Sequence, residues 1–304
     1  MTKLTELSVR VGSMAACCLL LTSTPSWAQI EAVFNVPVVI TEGVVAHPDG
    51  TVYFTDLRGD RILQLGTNGL ITTYRQPANN PNGLRLDAQF RLLAAESTRI
   101  TRTDLETGRI EVLADNTGAV DFGRPNDLTF DASGRIYFTG SGEVYRLDTD
   151  GTVTKIAASP LVQGSNGLIL SLDDRTLYLV EINRGEGLPR RIRAFDLSPE
   201  GTLSNPQVCH DFAPGRGGDG MGIDVDGNVY VAAGMNQPRG TSETLQNQSA
   251  IYVLSPECEL INQIPIPQDT MTNLGFGGPD MKTMYVTSGN SVFRVAMGIA
   301  GTRR

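Results

Sequence analysis

Residues His47–Phe54 read HPDGTVYF, a polar turn running into an alternating apolar strand. The pattern returns as LDAQFRLL from Leu86, FDASGRIYF from Phe130, LSLDDRTLY from Leu170, IDVDGNVYV from Ile223 and GGPDMKTMY from Gly277. The aligned positions are Tyr53, Leu93, Tyr137, Tyr178, Tyr230 and Tyr285, with a mean spacing near 46 residues. A fixed period of this length marks a repeat architecture. A second alternating element follows each copy, from Arg61, Arg99, Glu143, Arg191, Ala250 and Ser291. Period-two alternation bounded by Gly and Asp turns is a strand and hairpin signal. Six all-β units fit a six-bladed β-propeller with four antiparallel strands per blade. A β-sandwich would not explain six copies in register. The first full repeat starts near Glu42, so the strand at 30–39 is expected to complete the last blade.

Working outward, residues 1–28 read as a secretory signal. Lys3 and Arg10 give a positive start, 11–21 is apolar but too short to span a bilayer, and Ser26-Trp27-Ala28 supplies a cleavage site before Gln29. A short membrane anchor is the alternative. Residues 29–304 are then expected to form one propeller domain, exported to the periplasm or the exterior, with no membrane association after cleavage. Only Cys209 and Cys258 remain in that part, so at most one disulfide can form.

Composition narrows the chemistry. Two His and four Cys are too few for a site built from several such ligands. A formal charge of −8 argues against a nucleic-acid partner. The 33 Asp and Glu, with many Asn, leave oxygen ligands, which hard cations prefer.

Each repeat opens on a polar residue before its inner strand: Glu42, Asn82, Asn126, Asn166, Asp219 and Asn273. Four lie 11 residues before the repeat anchor, and Asn166 and Asn273 lie 12 before it. In a propeller these positions converge at one mouth of the central channel. Single Asn or Asp residues there would read as turn caps. Six in register, with two carboxylates and no cation among them, predict a bound divalent cation that compensates the buried charge. The blade-four and blade-five insertions, 184–189 and 236–248, are expected to wall the mouth.

The stretches EGVVAHPDGTVYFTD from Glu42, GRPNDLTFDASGRIYFTG from Gly123, SNGLILSLDDRTLYLVE from Ser165, GGDGMGIDVDGNVYVAA from Gly217 and TNLGFGGPDMKTMYVTS from Thr272 resemble the regucalcin and gluconolactonase family of calcium-type propellers. The resemblance implies one divalent cation, calcium before zinc, manganese or magnesium, on Glu42, Asn126, Asn166 and Asp219. It implies that Asp219 is the base or nucleophile and that the segment Arg124, Asn126 and Asp127 holds oxygens of a small-molecule substrate; Asn82 and Asn273, from the same ring, are further expected substrate contacts. The implied reaction is metal-assisted opening of a lactone. Organophosphate hydrolysis on the same site, or ligand binding around a structural calcium, are the alternatives. This chain departs from the family at AESTRI from Ala95, where bacterial relatives often carry a His, and at Glu-Gly-Val from Glu42 in place of Glu-Gly-Pro.

Overall fold

In the computed structural model, which describes residues 28–303, the chain forms six four-stranded antiparallel sheets and no helix among the described residues. Strand β1 is Ala28–Asn35. Blade one comprises β2 (Thr41–Ala46), β3 (Val52–Asp56), β4 (Arg61–Leu65) and β5 (Ile71–Arg75). Blade two comprises β6 (Leu84–Leu86), β7 (Leu92–Glu96), β8 (Arg99–Thr103) and β9 (Ile110–Asp115). Blade three comprises β10 (Pro125–Phe130), β11 (Ile136–Gly140), β12 (Glu143–Leu147) and β13 (Val153–Ala157). Blade four comprises β14 (Ser165–Leu170), β15 (Thr176–Ile182), β16 (Arg190–Leu197) and β17 (Leu203–Asp211). Blade five comprises β18 (Gly218–Ile223), β19 (Val229–Ala233), β20 (Ala250–Leu254) and β21 (Leu260–Pro265). Blade six comprises β22 (Met271–Gly277), β23 (Thr283–Ser288), β24 (Ser291–Met297) and, as its outer strand, β1. The sheets form a six-bladed β-propeller. The expected signal lies almost wholly in 1–27, outside the described residues.

The repeated turn makes the first hairpin of each blade. Asp131 Oδ1 accepts the amides of Ser133 and Arg135, and Asp224 Oδ1 accepts those of Asp226 and Asn228. Gly134 and Gly227 follow with φ of +84° and +85°, a region open to glycine without a Cβ penalty. The alternating residues after the turn then pack between blades. Tyr137 of blade three lies in one core with Leu168, Leu170, Leu177 and Phe195 of blade four.

The ring closes through the N-terminal strand, as the strand at 30–39 suggests. β1 pairs with β24 from Ala28 opposite Met297 to Asn35 opposite Ser291. Blades four and five carry a second tie. Cys209 on β17 and Cys258 in the turn after β20 form a disulfide across 49 residues of sequence. A cross-link closing a loop of that length restrains the unfolded chain. Replacing both cysteines with alanine is expected to cost about 2–4 kcal/mol, read by denaturant unfolding. An unchanged midpoint would show that the blade contacts alone set the stability.

Candidate metal and substrate site at the channel mouth

Six inner strands, β2, β6, β10, β14, β18 and β22, start at one end of the channel. In five of them the pairing with the next strand slips by a residue near the start: between Thr41 and Val44, Pro125 and Leu128, Ser165 and Leu168, Gly218 and Met221, and Met271 and Asn273. A bulge re-aims the side chains it carries. Glu42, Asn126, Asn166 and Asp219 all sit inside such bulges. In blade two, β6 begins only at Leu84, and Asn82 precedes it.

Glycines set how closely these bulges approach. A Cβ on Gly43 would meet the Asn82 carbonyl at 2.4 Å, and one on Gly83 would meet Asp127 Oδ1 at 2.4 Å. One on Gly167 would meet the Asp219 carbonyl at 2.1 Å, and one on Gly220 the Asn273 side chain at 2.3 Å. Hydroxyls add to the seam: Thr55 donates to the Asn82 carbonyl at 2.9 Å and Thr139 to that of Asn166 at 2.6 Å.

The register moves one residue from its counted place. Met271 lies opposite Ser288 as Thr41 lies opposite Asp56. The equivalent of Glu42 in blade six is therefore Thr272, and Asn273 stands one residue deeper, level with Asp127. Both deeper side chains accept the next amide of their own strand at 2.9 Å, from Leu274 and Leu128. The irregular turn after Gly277 misled the count.

Beneath the ring, two contacts cross the channel. Asp127 and Asn273 hydrogen-bond each other through their side chains. Arg85 of blade two reaches the Met221 carbonyl of blade five at 3.1 Å and lies 3.8 Å from Asp127 Oδ2. Asp127 is therefore buried under the ring. Arg124, three residues earlier, is exposed at the rim.

The structure adds a cation that counting polar residues missed. Arg216 is buried, and its Nη2 lies 3.3 Å from Asp219 Oδ2 and 3.0 Å from the Met271 carbonyl. Its signal was a lone arginine among glycines, GRGGD, three residues before Asp219. Arg85 had a signal too: it interrupts a strand position that holds Val45 in blade one and Ile169 in blade four. Even so, burial pushes the Glu42 carboxyl well above the ordinary carboxylate range, with Asp219 and Asp127 adding and Arg216 opposing. Burial likewise pushes Asp219 up to about 6 against the pull of Arg216. Burial raises Asp127 against the pull of Arg85.

These residues fit a hard divalent cation. The Asn166 side chain hydrogen-bonds Asp219, while its Oδ1 is buried with no partner. An orphaned amide oxygen beside two desolvated carboxyl groups is a donor set that lacks its acceptor of electron pairs. Among the described residues no three His, Cys, Asp or Glu groups come together to hold a metal, so a cation here would need amide oxygens as well. Calcium is expected to raise the melting temperature of the wild-type chain and to raise that of Glu42→Gln and Asp219→Asn far less. Equal shifts in all three would place the cation elsewhere.

A cleft of about 810 Å³ lies between blades four and five, bounded by Glu186, Leu188, Arg191, Asp211 and Thr244. Arg190 pins its walls. It donates to the carbonyls of Asn183, Gly185 and Pro214 and to Ser242 Oγ.

Residues 40–290 match the family model described as SMP-30/Gluconolactonase/LRE-like region. A gluconolactonase of Zymomonas mobilis is 28% identical over 249 residues, covering 73% of this chain and 64% of that protein, just under two thirds of its length. A 6-deoxy-6-sulfogluconolactonase of Pseudomonas putida is 26% identical, covering 78% of each chain. Among solved structures, a gluconolactonase of Xanthomonas campestris superposes with a TM-score of 0.72 at 23% identity, covering 87% of this chain and 88% of that one. A calcium-binding regucalcin of Agrobacterium tumefaciens gives 0.69 at 21% identity, covering 89% and 95%.

Proposed function

From the premise that this chain belongs to the SMP-30/gluconolactonase/LRE-like family, we propose that it hydrolyses a sugar lactone or similar cyclic ester at the channel mouth. The observation that carries this reading is the Asn166–Asp219–Glu42 cluster, with its orphaned amide oxygen and two carboxylates that share one guanidinium. Glu42, Asn126, Asn166 and Asp219 would hold the cation, with calcium the first candidate. When bound, it supplies Lewis-acid polarisation of the lactone carbonyl.

The remaining work falls to the chain. Asp219 holds the attacking water and accepts its proton as the new C–O bond forms. Arg216 and Asn166 fix the Asp219 carboxylate from two sides, so the base does not swing away from the substrate. The ring bond to the alkoxide oxygen then breaks, and that oxygen takes the proton that Asp219 received from water, which restores the carboxylate. Arg85, Asp127 and Asn273 close the channel below, so the lactone enters from the mouth alone. Arg124, free at the rim, is placed to hold substrate hydroxyls. A lactone is an activated ester, which suits a carboxylate base better than an amide substrate would.

Asp219→Asn is expected to lower kcat/KM for gluconolactone by at least about 100-fold, the size of a lost general base. A pH-stat assay with calcium, manganese and zinc in turn reads this directly, and turnover equal to wild type would overturn the role.

Export belongs to the same proposal. The Cys209–Cys258 disulfide suits an oxidising compartment. The secreted protein is expected to begin at Gln29 by N-terminal sequencing, and retention of residues 1–28 would refute cleavage.

A further inference from the structure

Next to the ring stand more guanidinium groups than holding the Asp219 carboxylate requires. Arg216 uses only Nη2; its Nε and Nη1 are buried with no partner. Arg239, on the blade-five insertion, is half-buried, and its Nη2 donates to Thr270 Oγ1 at 2.6 Å. Thr270 and Met271, the anchors of Arg239 and Arg216, are consecutive at the start of β22. Thr270 takes a φ of +69°, unusual for a β-branched residue, with its carbonyl held by the Gly289 amide. Two guanidinium ions are thus anchored on consecutive residues, near enough for the charge of one to act on the other.

A third cation approaches from blade four. The Arg184 carbonyl accepts Ser242 Oγ at 2.8 Å, and both Arg184 and Arg216 act electrostatically against the charge on Arg239. Asp269 and Glu243 offset them in part. Asp269 is engaged by the Asn236 amide, and Glu243 by the Thr241 hydroxyl. Desolvating like charges together is costly unless an anion compensates them. Unused N–H donors of Arg are suited to a carboxylate, phosphate or sulfonate.

We propose that Arg216 and Arg239 form an anion subsite beside the ring, so that the preferred lactone carries a second anionic group remote from its ester. The proposal rests on the lactone reading for its substrate class, and binding tests it without any hydrolysis. Arg216 links the two halves, since its Nη2 lies 3.3 Å from Asp219 Oδ2 and its charge acts on Arg239.

Calorimetric titration of the calcium-loaded protein with 6-phosphogluconate and with gluconate is the test. The two open-chain acids share the carboxylate that ring opening creates and differ in the remote phosphate. The phosphorylated acid is expected to bind at least about tenfold tighter, the worth of one or two charge-assisted hydrogen bonds. Arg239→Gln is expected to remove that difference while leaving gluconate affinity and gluconolactone turnover unchanged, and Arg239→Lys to retain part of it. Thr270→Ala, which removes the anchor, gives the same readout should Arg239→Gln fail to fold. Equal affinities in the wild type, or a preference that survives both Arg239→Gln and Thr270→Ala, would overturn the proposal. So would inorganic sulfate binding as tightly as 6-phosphogluconate, which would mark an adventitious ion only. A wild type that binds 6-phosphogluconate but opens no lactone would sink the catalytic reading and leave the subsite standing.

Discussion

The structure depends on how closely six inner strands can approach one another around the channel. Gly43, Gly83, Gly167 and Gly220 each face the ring residue of the next blade at distances where a Cβ would have no room. Every such contact sits in or beside a bulge, and a bulge frees backbone from its own sheet to meet the neighbour. The Gly83 amide accordingly bonds the Asn126 carbonyl of the next blade at 2.7 Å. Close approach therefore produces two results together. It closes the ring, and it forces the side chains of successive blades into one small volume. The polar cluster at the mouth is a consequence of the same crowding that makes the fold.

Much of this was legible in the sequence because propeller units repeat. Turn chemistry, alternation and glycine placement recur six times, so the strands, the closing strand near residue 30 and the mouth positions could be read by aligning the chain with itself. What escaped was whatever belonged to one blade only. Arg216 and Arg85 have no counterpart in other repeats, so the periodicity that revealed Glu42 and Asn166 was blind to them. The shift at Asn273 has a related cause. Counting residues assumes that each turn holds a constant number, and the turn after Gly277 does not. Ladder pairing measures position directly, and it puts Asn273 two residues after the first pair of β22, the place Asp127 holds in β10.

Asp127 shows how burial redirects a residue that sequence assigns to substrate. Its place beside Asn126 in the Arg-x-Asn-Asp stretch suggested a hand on the ligand. In three dimensions alternate residues of a strand face different ways, and Asp127 descends into the channel while Arg124 stays at the rim. There it meets Arg85 and Asn273, contacts that tie blades two, three, five and six across the axis. Those contacts form a floor under the ring.

The charge arrangement at the mouth follows from that floor. Below, Arg85 offsets Asp127, so the lower layer carries its own compensation. Above, one guanidinium, Arg216, faces two buried carboxylates, Glu42 and Asp219. Burial keeps both carboxyl groups reluctant to ionise despite it. A single monovalent cation held to one side cannot neutralise the pair, and leaving a buried charge uncompensated costs several kcal/mol. A divalent cation among Glu42, Asp219 and the free Asn166 oxygen would remove that deficit. The Nε and Nη1 of Arg216, which have no partner, would remain donors without an acceptor. The same imbalance that calls for a cation in the ring therefore leaves positive charge beside it, between the ring and Arg239.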